Sequence, residues 1–150
     1  MNKSTNQSII RKNLLSGEMS LEGFLGNDER DYLEIIEDDR KKLTELGLTT
    51  TKIADRLLYF TDKTFELYGG TKLIDDIFEV SYRSFRGRTL CPFAHHGRIR
   101  KGLITLINKQ NNLSIFWTPL NIHMIREHCF FEGKGSKHRL EPNILKEVLF

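Results

Sequence analysis

Residues 77–85, IFEVSYRSF, alternate the apolar side chains of Phe78, Val80 and Tyr82 with polar or charged neighbours. A period of two residues is typical of a β-strand that buries one face and exposes the other. The stretches before it repeat their apolar residues at helical spacing. The chain therefore changes at this strand from a helical first half to a second half that contains a sheet.

Two more apolar runs follow on the C-terminal side. LITLI at 103–107 and LSIFW at 113–117 flank the polar segment NKQNN, which predicts a β-hairpin. Pro119 is predicted to begin a helix through PLNIHMIREHC, because proline suits an early helical position whose amide needs no partner. A short last helix is predicted after Pro142.

Two helices are predicted on the N-terminal side. Asn27 can cap the first, whose opening turn is acidic, and Gly47 ends it. The second begins after Thr49 or Thr50 and stops at the glycines at 69 and 70. Its apolar stripe consists of Ile53, Leu57, Phe60, Thr64 and Tyr68.

This order of elements predicts an α+β fold, in which an N-terminal helical hairpin packs on a small antiparallel sheet with one or two C-terminal helices. A chain of 150 residues with 39% hydrophobic residues has the size of one domain. Residues 1–25 are polar and are predicted to be a flexible N-terminal arm, with the single domain at 26–150. No apolar run approaches the roughly 20 residues of a membrane span or resembles a signal core, so we expect a cytoplasmic protein with reduced thiols.

Cysteine and histidine occur only in one third of the chain. Their positions are Cys91, His95, His96, His123, His128, Cys129 and His138. These side chains bind transition metals and exchange protons near neutral pH, so their clustering indicates a site in this region.

A zinc ion is the first interpretation. Cys91 with His95 or His96 offers ligands from one turn, and His123, His128 and Cys129 offer more from one helix, enough for a tetrahedral shell. Residues five apart lie about 140° round a helix, so both helix histidines face one ion only if the helix ends near Glu127. A shared site also requires the Cys91 sulfur to lie within about 8 Å of these helix side chains. The alternative is that the cysteines pack as small apolar residues and the histidines make ordinary hydrogen bonds.

Charge divides along the same boundary. Residues 1–80 hold 11 Lys/Arg against 16 Asp/Glu, whereas residues 81–142 hold 11 against 3. The basic half is predicted to bind an anionic ligand, with nucleic acid preferred, and the acidic helical half is a candidate surface for a protein partner. The alternative is a solvated basic face opposite an acidic one. Among the cations, one candidate anion-binding group comprises Arg98, Arg100 and Lys101.

A second candidate for anion binding is the loop EGKGSKHR. Two glycines leave backbone amides free to surround an anion that the cations neutralise. Its candidate residues are Lys134, Ser136, Lys137, His138 and Arg139. The alternative is a flexible surface turn.

A histidine pair at 95–96, a hairpin containing Asn112, and a helix with His123 and His128 together resemble the HNH nucleases over residues 95–128. The resemblance implies that His96 or His95 activates water, that Asn112 orients it, and that the helix histidines hold the metal. The usual spacing of the helix histidines and an acidic neighbour of the pair are both missing. Three functions therefore stay open: an anion-binding protein with a zinc ion, a metal-dependent hydrolase, and an interaction module without a small ligand.

Overall fold

The computed structural model describes residues 3–67 and 70–150, which form five helices and four strands. The elements in chain order are α1 (Lys3–Asn13), α2 (Tyr32–Leu46), α3 (Thr50–Thr64), β1 (Thr71–Ile74), β2 (Phe78–Thr89), β3 (Ile99–Asn108), β4 (Leu113–Trp117), α4 (Pro119–His128) and α5 (Pro142–Leu149). This arrangement confirms the predicted α+β class.

The strands form one antiparallel sheet in the order β1-β2-β3-β4. The predicted alternation in β2 is confirmed, because Phe78, Val80 and Tyr82 are buried on one face. Beyond Tyr82 only β2 and β3 pair, with a register shift between Ser84 and Arg88. We call this two-stranded extension, residues 83–89 and 98–102, the basic ribbon.

The observed helix ends agree with the predicted ones where neighbouring residues in the sequence determine them. Gly47 ends α2 in the left-handed conformation at φ 71°, and the Thr49 side chain caps α3 by accepting the amide of Lys52 at 3.1 Å. The prediction that Asn27 caps the first long helix was wrong, because Asp31 caps α2 instead. Asn27 donates its amide to the Lys134 carbonyl, so a tertiary contact holds this segment outside the helix.

Two elements were not predicted. One is α1, and the other is β1, which pairs with the start of β2 across a turn where Asp75 and Asp76 both adopt positive φ. Helix α3 ends at Thr64, four residues before the predicted end at Tyr68; Tyr68 and Gly69 lie outside the described residues.

Two hydrophobic clusters hold these elements together. The main core lies between the sheet, α3 and α5, and the second cluster lies beside α4 and the N-terminal segment. In the second cluster, Leu14 and Phe24 pack with residues that include Tyr32, Met124 and Phe130.

The mobility predicted for residues 1–25 remains a prediction. No helix within the described parts of the chain is long and apolar enough to cross a membrane.

Candidate metal centre

Cys91 lies in the connection that joins β2 to β3. Cys91 and Pro92 are buried, and the Asn13 side chain at the end of α1 donates to the Pro92 carbonyl at 3.0 Å. The amide of Phe93 donates to the Cys91 sulfur at 3.4 Å, and Ala94 turns the chain with φ 57°. This turn holds the thiol in a defined position and points the following His95 back toward α4.

Helix α4 supplies two histidines. Thr118 and Asn121 form a reciprocal capping box at its start, and Cys129 ends it in the left-handed conformation at φ 52°. Because the helix ends at His128, this histidine is not constrained to the far side of the helix from His123. Their ring centroids lie 5.5 Å apart, which meets the condition stated from the sequence.

The three side chains form a group that can hold a metal ion. One ligand atom from each of Cys91, His123 and His128 lies within 4.8 Å of the other two. This confirms the prediction that Cys91 approaches α4 within about 8 Å. Ligand atoms of a tetrahedral zinc site lie roughly 3.5 Å apart, a spacing of the same order as that of this group.

Two histidine nitrogen atoms of this group are buried without a hydrogen-bond partner among the described residues. The Nε2 atoms of His123 and His128 are buried and have no hydrogen-bond partner in the described residues. The His128 ring is held in place by Phe93, which stacks on it at 4.4 Å between centroids and 8° between planes. A buried polar atom without a partner costs roughly 1–3 kcal/mol, so two of them beside a thiol require an explanation.

Burial also sets the protonation of the group. It lowers the pKa of His128 to about 4, with the neighbouring His123 and His95 adding to the effect, and it lowers the pKa of His123. Both imidazoles are therefore neutral at pH 7, the form that binds metals. Burial raises the pKa of the Cys91 thiol, which the amides of Phe93 and His95 oppose, so metal binding must displace a proton from sulfur.

His95 is placed to join the group. Its ring is exposed and lies 4.7 Å from the His123 centroid and 5.5 Å from that of His128. The other two metal candidates stand apart from it. His96 is exposed. Cys129 packs in the main core, where its thiol interacts with Arg40. Three of the six candidate ligands therefore come together, with the His95 ring beside them.

Four backbone amides of the loop at 132–139 donate to acceptors within the protein. The amides of Gly133, Lys134, Ser136 and Arg139 donate to Phe24, Asp28, Gly133 and Ser136 respectively. These four amides are engaged by the N-terminal segment and within the loop, and the anion-binding role of the loop stays a prediction. These contacts satisfy amides that would otherwise be buried without partners.

Arg139 has an internal role. Its side chain is 7% exposed and makes two hydrogen bonds to the Asp39 carboxylate, at 2.7 and 2.9 Å, and two more to Glu141. A guanidinium in such a bidentate pair is not available to an outside anion. The remaining candidate cations, Arg98, Arg100, Lys101, Lys134 and Lys137, are exposed.

Sequence reasoning missed a buried carboxyl group at Glu132. It is 3% exposed, and it accepts hydrogen bonds from Asn121 at 2.9 Å and Ser136 at 2.6 Å. Burial raises its pKa to about 7. The signal for it was an acidic residue directly after the apolar run Cys129-Phe-Phe131.

The residues that resemble the HNH nucleases do not meet. Asn112 lies in the turn after β3, whereas His95 and His96 lie before that strand. A strand of ten residues spans roughly 30 Å, so Asn112 cannot orient a water molecule beside the histidine pair. This separation removes one of the three parts that the nuclease interpretation requires.

No family model, no curated protein and no solved structure matches this chain.

Proposed function

We propose that the protein binds one zinc ion through Cys91, His123 and His128, and that the basic ribbon beside this centre binds nucleic acid. The observation that carries the proposal is the grouping of Cys91 with His123 and His128, whose buried Nε2 atoms have no partner among the described residues. Thiolate and imidazole ligands in tetrahedral geometry are typical of zinc.

His95 supplies the fourth ligand in this proposal. Its exposed ring already contacts both helix histidines, so a rotation brings one nitrogen to the ion. Four protein ligands close the coordination shell, which is typical of structural zinc sites, whereas catalytic sites keep one position open. The zinc ion would then join the turn at 91–95 to the end of α4.

The turn at 91–95 belongs to the connection that closes the ribbon, so the zinc centre would fix the end of the ribbon away from the sheet. The ribbon's cations are Arg83, Arg86, Arg88, Arg98, Arg100 and Lys101, and residues 80–126 contain no Asp or Glu. Phe85 adds an aromatic ring that is 48% exposed, with the Arg83 guanidinium 5.7 Å from its centroid. A two-stranded β-ribbon fits the major groove of DNA, and exposed rings beside arginine stack on unpaired bases.

Metal content tests the first half of the proposal. Protein purified without a histidine tag is expected to contain about one zinc per chain. The variants His128→Ala and Cys91→Ala should lose it, because each removes a ligand from a shell of at most four. His96→Ala is the matched control and should retain the metal, since His96 lies outside the group. Zinc-free protein that takes up none on titration would contradict the proposal, as would zinc retained in both ligand variants.

Salt dependence tests the second half. Binding to duplex DNA or RNA should weaken steeply as salt rises, because each engaged phosphate releases counterions. The triple variant Arg86→Ala/Arg88→Ala/Arg98→Ala should reduce the slope of log K against log salt by about 3. The control triple Lys12→Ala/Lys41→Ala/Lys109→Ala removes as many exposed charges elsewhere and should change it much less. Equal effects of the two triples, or no binding at low salt, would rule out the ribbon as the interface.

A further inference from the structure

A cavity of about 590 Å³ lies on the sheet face opposite the main core. Leu103, Thr105 and Phe116 form its sheet side, and the segments 20–24 and 132–138 close it from the other side. Small-molecule sites commonly measure about 300–1,000 Å³ and combine apolar walls with a few placed polar groups. The cavity has that size and that composition.

The polar group on its inner side is the Glu132 carboxyl. Each of its oxygens accepts one hydrogen bond, from Asn121 or from Ser136, and so keeps further acceptor capacity for a ligand. Glu132 has a positive φ of 71°, an uncommon conformation for a residue with a side chain, which the surroundings must hold in place. His138 also lines the cavity, and its buried Nδ1 has no partner in the described residues.

Close backbone packing fixes this wall. A Cβ atom on Gly26 would lie 2.2 Å from the Ser136 amide nitrogen, and one on Gly133 would lie 2.3 Å from the Leu25 carbonyl oxygen. Only glycine allows these approaches. Arg139 adds a hydrogen bond of 2.7 Å to the Glu132 carbonyl. The carboxyl group is therefore held in position before any ligand arrives, which lowers the entropic cost of binding.

The opening of the cavity is basic and its walls are aromatic. Lys101 and Lys137 are exposed cations of its lining, with Glu22 as the single acidic residue besides Glu132 among the lining residues. Phe24, Phe85 and Phe116 contribute aromatic rings. A ligand that fits carries a flat ring with N–H donors at one end and an anionic group at the other.

We propose that this cavity binds a nucleoside phosphate, with the base against the aromatic walls and its N–H groups donating to Glu132. The phosphate lies at the opening, where Lys101 and Lys137 neutralise it. The same chemistry is offered by a free nucleotide and by the end of a nucleic acid strand. The proposal does not depend on the zinc centre, and it shares only Lys101 and Phe85 with the proposed ribbon interface.

Calorimetric titration of the full chain with the four ribonucleoside 5′-monophosphates tests the proposal. At least one is expected to bind more tightly, by tenfold or more, than its nucleoside and than inorganic phosphate. Glu132→Gln should weaken this binding by at least tenfold and Lys137→Ala by about threefold, whereas the exposed control Lys109→Ala should leave it unchanged. The proposal is overturned if no monophosphate binds at millimolar concentration, or if phosphate alone binds equally well.

Amide chemical shifts of the unaltered protein provide a test that needs no variant. Addition of the monophosphate should shift resonances of residues 103–105 and 132–138, and shifts confined to other regions would overturn the proposal. Competition by a single-stranded decanucleotide separates the two sources of the ligand. Displacement of the monophosphate identifies a strand end, and its absence identifies the free nucleotide.

Discussion

Glu132 owes its properties to contacts at the level of single residues. The neighbouring phenylalanines and Gly133 place it in the interior, where Asn121 and Ser136 donate to its carboxyl oxygens. Burial favours the neutral form and raises its pKa to about 7, while the two donors and Arg139 act in the opposite direction. The carboxyl group thus titrates near neutral pH.

This titration predicts a pH-dependent stability. The unfolded chain releases the Glu132 proton near pH 4.5 and the folded chain near pH 7, so the free energy of unfolding falls as pH rises through that interval. The loss amounts to about 3 kcal/mol at most. Glu132→Gln cannot titrate, so its stability relative to the unaltered protein should increase between pH 5 and 7 in urea denaturation.

The matched control is Glu18→Gln, at an exposed glutamate outside the cavity lining. The pH dependence of its free energy of unfolding should match that of the unaltered protein. The contributions of the histidines cancel in this comparison, because all three proteins contain them. A constant difference between Glu132→Gln and the unaltered protein over this interval would contradict the burial argument.

At the level of elements, the segment between α1 and α2 depends on two anchors. Leu14 is 1% exposed in the second cluster, and Phe24 donates its amide to the Leu14 carbonyl and accepts from Gly133. The Asn13 side chain also reaches the turn that carries Cys91. The packing of this segment therefore supports both the cavity wall and the metal centre.

The adjacent leucines offer a direct test of this anchoring. Leu14→Ala should lower the free energy of unfolding by about 2–5 kcal/mol, because it leaves a void in the second cluster. Leu15→Ala, at a position 52% exposed, should change it by less than about 0.5 kcal/mol. Chemical denaturation measures both. Equal small effects would show instead that residues 1–25 behave as the flexible arm expected from their composition.

For the whole molecule, the proposed zinc centre joins parts that are distant in sequence. It connects the β2–β3 turn to the end of α4, beside the second hydrophobic cluster that Phe93 also contacts. Acidic helices and the basic ribbon stand in different halves of the chain. An ion bound only by the folded state must add to the stability of the whole domain.

Removal of the metal should therefore lower the Tm. An ion present at 100 times its Kd stabilises the folded state by about 2.7 kcal/mol, which corresponds to a Tm shift of about 5–10 °C for a domain of this size. A chelator should cause this shift in the unaltered protein and in His96→Ala. Cys91→Ala and His128→Ala should not respond to it. A chelator-independent Tm in the unaltered protein would show that no metal contributes to folding.

The sequence by itself determined the features that arise from neighbouring residues. Alternation in residues 78–82 identified the strand, Gly47 and Thr49 identified helix ends, and the Cys/His-rich and basic regions indicated where a site lies. Such signals are local, because strand period and helix capping involve residues only a few positions apart. Where a tertiary contact competed, as at Asn27, the local signal failed.

Only the tertiary structure decided which of the candidate residues come together. It brought Cys91 to His123 and His128 while Cys129 entered the main core, and it paired Arg139 with Asp39. It also buried Glu132 beside a cavity that composition does not reveal. These outcomes depend on the packing of residues up to 100 positions apart, and no periodic pattern in the chain specifies such partners.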